Sequence, residues 1–81
     1  MVAVVVWGSL KPLVGGEARL EIEASNIREL LQRLEAAYPG LKPQLERGVS
    51  ISIDGTIFRD AWFEPIPSDA EVHLLPRLAG G

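Results

Sequence analysis

The chain contains no cysteine, so neither a disulfide framework nor a thiolate metal site is open to it. Histidine occurs once, at His73, which excludes a site built on several imidazoles. Basic residues are outnumbered, 8 Lys and Arg against 11 Asp and Glu, for a net charge of −3, and they form no cluster. That balance argues against nucleic acid or an anionic membrane as the partner. No apolar run approaches the length of a membrane span, and Val2–Trp7 lacks the basic flank and the length of a signal peptide. The expected location is the cytoplasm. With 81 residues there is material for one small domain. Ordering a chain of that size costs on the order of 100 kcal/mol of conformational entropy. Nearly all of the core is needed to offset this, which leaves little room for a buried cofactor cavity. Neither a cofactor nor a metal site is expected.

What is present reads as a folded α+β chain, 47% hydrophobic and 23% charged. Val2–Trp7 is short, apolar and rich in β-branched residues, as expected of a central strand buried on both faces. Lys11-Pro12 and Gly15-Gly16 mark a loop or hairpin turn. Over Glu17–Glu23, Ala18, Leu20 and Ile22 alternate with charged residues, the pattern of a strand with one wet face. Asn26 with Glu29 three residues on fits a helix capping box. Ile27, Leu30, Leu31, Leu34 and Tyr38 then form one helical stripe, stopped by Pro39-Gly40.

Leu41–Arg47 is a connector with room for one short turn of helix. Val49–Ile53 alternates as a third strand, Asp54-Gly55 signals a tight turn, and Thr56–Phe58 returns as a fourth. After an irregular stretch, Arg59–Asp69, the last strand is Glu71–Leu75. The order β-β-α-β-β-β with one long helix predicts a β-grasp architecture. This is a mixed sheet of four to five strands, first and last strands side by side and parallel, with the helix across one face. Ile27, Leu30, Leu31 and Leu34 are expected to pack on Val49, Ile51, Ile53, Val72 and Leu74. Residues 1–75 form the globular part and 76–81 a flexible tail.

The sequence closes on Leu78-Ala79-Gly80-Gly81. Glycine lacks a Cβ, so its backbone enters narrow channels closed to other residues. A carboxylate on such an arm suits delivery into another protein's active site. Fully extended, residues 76–81 reach about 20 Å. The bland alternative is a frayed end.

Three stretches together resemble the MoaD/ThiS family of ubiquitin-like sulfur carriers. They are Val4-Val5-Val6-Trp7-Gly8-Ser9-Leu10, then Asn26–Leu31 running on to Tyr38-Pro39-Gly40, and then Ile53-Asp54-Gly55 with Asp69–Gly81. The resemblance implies that an ATP-dependent E1-like activating enzyme (MoeB/ThiF-like) adenylates the Gly81 carboxylate. A sulfur donor then forms a thiocarboxylate, which passes sulfur to a sulfur-accepting biosynthetic enzyme in a molybdopterin-type or related pathway. The chain would be a carrier and not an enzyme, with no catalytic residue of its own. Molybdopterin members usually carry Pro-Pro before the tail, where this chain has Pro76-Arg77. They often carry Gly-Asp-Glu before the last strand, where it has Ser68-Asp69-Ala70-Glu71. Two other classes stay open: a protein modifier joined through Gly81 to lysines, and a non-covalent β-grasp binding module.

Partner-contact candidates follow. By alternation His73 and Leu75 point away from the helix, and with the tail they compose a docking patch. Read blandly, both are ordinary surface residues. Trp62-Phe63 is either a loop plug over the core or an aromatic anchor for a partner. Arg77 is suited to an acidic groove or serves only solubility. Leu78, Ala79 and Gly80 complete the tail that delivers Gly81.

Overall fold

The computed structural model describes residues 1–59 and 61–76. Strands β1 (Val2–Val6), β2 (Arg19–Ile22), β3 (Val49–Ile53), β4 (Thr56–Phe58) and β5 (Glu71–Pro76) form one sheet in the order β2-β1-β5-β3-β4. The β1–β5 pair at its centre is parallel and the flanking pairs are antiparallel. Two α-helices join them, α1 (Ile27–Ala37) and α2 (Lys42–Arg47), and α1 buries its apolar stripe on one sheet face. The architecture is the ubiquitin-like β-grasp expected from the element order.

Alternation sorts the sheet into two faces. Val2, Val4, Val6, Ile51, Val72 and Leu74 are sealed under α1, none more than 2% exposed. Ala3 and Val5 on the other face are only half-buried. The expectation that β1 is covered on both faces is therefore corrected. The strand is central because β2 and β5 occupy its two edges. Among the described residues no layer lies over its second face, and neighbouring side chains give Val5 partial shelter.

The segment expected to be a loop or hairpin is instead a 3-10 helical run, Gly8–Val14, closed by Gly15 at φ 71°. It places Leu10 and Val14, both fully buried, in the core. β2 consequently starts at Arg19 rather than Glu17, although the Val6 N–H still donates to the Ala18 carbonyl at 2.8 Å.

The start of α1 is tied on all sides. Asn26 Oδ1 accepts the Glu29 N–H at 2.8 Å. Glu29 Oε1 accepts the Ser25 N–H at 3.0 Å, so the capping box closes one residue earlier than the usual form. The Ile27 and Arg28 N–H groups donate to the carbonyls of Glu64 and Trp62 at 3.1 and 2.7 Å. The first-turn donors that a helix leaves orphaned are thus met by the loop before β5.

Within the helical stripe Ile27, Leu30 and Leu34 are buried. Leu31, expected in the core, is half-buried, as is Val49. Both line a narrow crevice with Leu45, Phe58 and Trp62. Leu31 lies on the stripe's flank, where α2 and β4 meet it without closing over it. A 3-10 turn, Pro39–Leu41, leads into α2 and buries Leu41 completely.

Candidate functional site

On the uncovered face, one row of side chains runs across every strand. Arg19 of β2 is in register with Val5 of β1, Val5 with His73 of β5, His73 with Ser52 of β3, and Ser52 with Ile57 of β4. One step along β5, Leu75 lies opposite Ser50. Both serines are small and 8% exposed, and Ser52 is sunk between His73 of β5 and Ile57 of β4. That difference in size makes a hollow. It has a volume of about 220 Å³ and is lined by Trp7, Ser52, Gly55, Ile57, His73 and Leu75.

The apolar rim is open to solvent, with Trp7 48% and Ile57 59% exposed. Trp7 leaves the end of β1, where its N–H donates to the Leu74 carbonyl at 3.1 Å. Its indole packs over His73, the ring centroids 5.8 Å apart and the planes at 29°. The Trp7 Nε1–H donates to His73 Nδ1 at 2.7 Å. An indole can only donate, so Nδ1 is the acceptor and the imidazole hydrogen lies on Nε2. That nitrogen donates to Glu71 Oε1 at 2.7 Å. Glu71 is anchored in turn: its N–H donates to Asp54 Oδ1 and its carbonyl accepts the Asp54 N–H, both at 3.0 Å. The Asp54-Gly55 turn, with φ of 48° and 90°, is therefore more than a reversal.

The hollow lies at the root of the final segment. Pro76 ends β5, paired with Val49. Gly8, at φ 58°, lies against it, so that a Cβ there would stand 3.6 Å from Pro76 Cγ. Arg77, Leu78, Ala79, Gly80 and Gly81, the tail read from the sequence, lie outside the described residues. Glutamates mark the other end of the same face, where Ala3 is flanked by Glu21 and Glu71.

His73 and Leu75 are brought together on this face, as alternation predicts. Trp62 lies on the helix side of the sheet and is 47% exposed, and Phe63 beside it in sequence is 75% exposed. Trp62 borders the Leu31 crevice while its carbonyl caps α1. The structure therefore separates the two pairs. The sequence reading missed Trp7 and Ile57. The signal for Ile57 was available, because it alternates with Phe58, which packs toward the core. No group of His, Asp or Glu among the described residues is arranged to hold a metal ion. Among the same residues no helix is long and apolar enough to cross a membrane.

Comparison with known proteins follows the same lines. The sequence model of the ThiS family matches residues 4–81. No characterised protein matches in a direct sequence comparison. A chain of the complex of subunits 1 and 2 of the Helicobacter pylori molybdopterin-converting factor is 28% identical. The match covers 99% of this chain and 97% of that one, with a TM-score of 0.71. A chain of the Amycolatopsis orientalis BexX/CysO complex is 21% identical with full coverage of both chains and a TM-score of 0.80. Small archaeal modifier protein 1 from Methanosarcina acetivorans is 22% identical over 99% of this chain and 95% of that one, with a TM-score of 0.82. The last two share the fold at an identity that carries no more than the fold.

Proposed function

Because the chain belongs to the ThiS family, whose members are carriers and non-catalytic substrates of E1-like enzymes, we propose that it is a sulfur carrier used through Gly81. The observation that carries this reading is the hollow rimmed by Trp7, Ile57 and Leu75 at the root of the segment that leads to Gly81. A carrier needs two things from its fold: a surface the activating enzyme can grip, and a carboxylate offered beyond it. An apolar rim open to solvent beside Pro76 supplies the first. The family match running through Gly81 supports the second.

The chemistry is a two-step exchange. One carboxylate oxygen of Gly81 attacks the α-phosphorus of ATP and pyrophosphate leaves, giving an acyl-adenylate. A sulfur nucleophile then attacks the acyl carbon and AMP leaves: sulfide gives the thiocarboxylate directly, whereas a persulfide gives an acyl disulfide, which a thiol cleaves by forming a disulfide with the donor's sulfur and releasing the thiocarboxylate. A carboxylate is a poor electrophile and its adenylate a good one, which is why ATP is needed. The carrier itself contributes no acid or base. Its partners are an ATP-dependent activating enzyme of the MoeB/ThiF kind, working in the cytoplasm where ATP is available, and a sulfur-accepting enzyme of a molybdopterin-type or related pathway. Leu78, Ala79 and Gly80 lead Gly81 into the nucleotide site, and Arg77 pairs with acidic groups at its mouth.

Intact mass after coexpression with the activating enzyme of the same organism tests the reading. A gain equal to the exchange of one oxygen for one sulfur at Gly81 is expected. Conjugates heavier by a whole target protein would instead make the chain a modifier. An unchanged mass would leave a non-covalent binding module.

A further inference from the structure

Both ring nitrogens of His73 are already engaged. Nδ1 accepts from Trp7 and Nε2 donates to Glu71, each at 2.7 Å. An imidazole so committed has no spare donor to offer a partner, although a lone histidine on a docking face invites that role. We propose that His73 is a positioning residue for Trp7, and that Glu71 and Asp54 are the supports that hold it in place. The proposal rests on the carrier reading and adds what the activating enzyme inserts: an uncharged aliphatic or aromatic side chain.

Trp7 needs such a support. It follows the last paired residue of β1, precedes Gly8 with its positive φ, and is 48% exposed. An indole so placed swings between rotamers unless its N–H is held. The brace runs without a gap from one rim of the hollow to the other. Asp54 fixes the Glu71 backbone, the Glu71 carboxylate keeps the imidazole hydrogen on Nε2, and the free lone pair on Nδ1 takes the indole hydrogen. Gly55, next to Asp54, lines the same hollow as Trp7. Ordering the wall before the partner arrives spares the complex that ordering cost, so the brace acts on affinity and not on the chemistry at Gly81. With the imidazole and indole polar atoms paired to each other, these two walls present only carbon to an incoming group.

The test is a double-mutant cycle read in two ways. Steady-state adenylation by the activating enzyme of the same organism is measured for the native chain, His73→Phe, Trp7→Phe and the double variant. The Trp7 indole N–H is followed by NMR in the free protein, with Trp7→Phe assigning it against Trp62. Phenylalanine at position 73 keeps an aromatic ring and removes the acceptor. His73→Phe is expected to raise KM about fivefold with kcat within about twofold, and to shift the indole resonance. In the Trp7→Phe background, where no indole needs holding, the same change should have no further effect. An unchanged KM for His73→Phe overturns the proposal, as does a KM rise of equal size in the Trp7→Phe background, since His73 would then act independently of Trp7. A native chain that is not adenylated at all overturns the carrier reading at the first step, before any variant is compared.

Discussion

The carbonyl of Trp62 accepts the backbone N–H of Arg28 at 2.7 Å, so an exposed loop aromatic secures the first turn of α1 through its main chain. The side chain and the backbone of Trp62 therefore have separable roles. Replacing the ring leaves the cap in place. Trp62→Ala is expected to keep the fold and to lose only the half-exposed packing along the crevice, about 1–2 kcal/mol. Phe63→Ser, at a residue 75% exposed, should leave stability unchanged. Neither should alter the KM of adenylation, because neither lines the hollow beside Pro76. Urea denaturation and steady-state kinetics on the same two variants check this together.

The cap itself has a measurable weight. Asn26 Oδ1 and Glu29 Oε1 hold two donors at the helix start. Asn26→Ala should cost about 1 kcal/mol in urea denaturation, with Glu29→Ala somewhat less because the Ser25 N–H it serves is open to water. A loss below about 0.3 kcal/mol for Asn26→Ala would show that the carbonyls of Trp62 and Glu64 suffice alone.

Leu30 and Leu31 are neighbours in sequence and differ in weight. Leu30 is fully buried and Leu31 is half-buried on the rim of the crevice. Leu30→Ala should destabilise by about 2–5 kcal/mol, whereas Leu31→Ala should cost about 1–2 kcal/mol because water can enter the space it leaves. Equal losses would mean that the crevice closes in solution.

These leucines also show what was legible in the sequence. Period 3.6 identified the helix and its inward stripe, and alternation identified the strands and the faces of His73 and Leu75. The central parallel pair followed from two apolar strands at the ends of the order. Periodicity assigns a residue to a face but does not say what covers that face. Hence Leu31 looked as buried as Leu30, and Val5 as buried as Val4. The Gly8–Val14 run was hidden for a different reason: Pro12 and Gly15-Gly16 punctuate it as a loop would. The spacing of Leu10, Leu13 and Val14 was the trace of its apolar side. The brace was not legible at all, because Trp7 and His73 are 66 residues apart and only strand register brings them together.

The reactive position is tested by length. Removing Gly81, or adding one residue after it, displaces the carboxylate by about 3.3–3.6 Å along an extended chain. In-line attack on the α-phosphorus tolerates far less than that. Adenylation, followed by pyrophosphate release, should fall below detection for both variants while their thermal unfolding matches the native chain. Gly80→Val should fail as well, since a β-branched side chain cannot follow glycine through a narrow channel. Normal adenylation of the extended chain would remove Gly81 from the mechanism.

The hollow makes the sharpest demand on charge. Ile57, 59% exposed, and Leu75, half-buried, face each other across the serines of β3. Both are free of the brace, so substitution at either leaves Trp7 held. Leu75→Glu and Ile57→Glu each place a carboxylate where the activating enzyme must seal out water, and an unpaired charge buried in an apolar contact costs several kcal/mol. Even partial sealing should raise KM at least tenfold, since about 1.4 kcal/mol suffices for that factor. The kcat should change much less, because Gly81 reaches the nucleotide site by the same path once docking has occurred. Ile57→Val provides the control: it keeps the rim apolar and should stay within about twofold of native in both constants. Glutamate variants that fold normally and bind with native KM would move the docking surface off this face. The exposed Trp62-Phe63 pair would then be the next candidate.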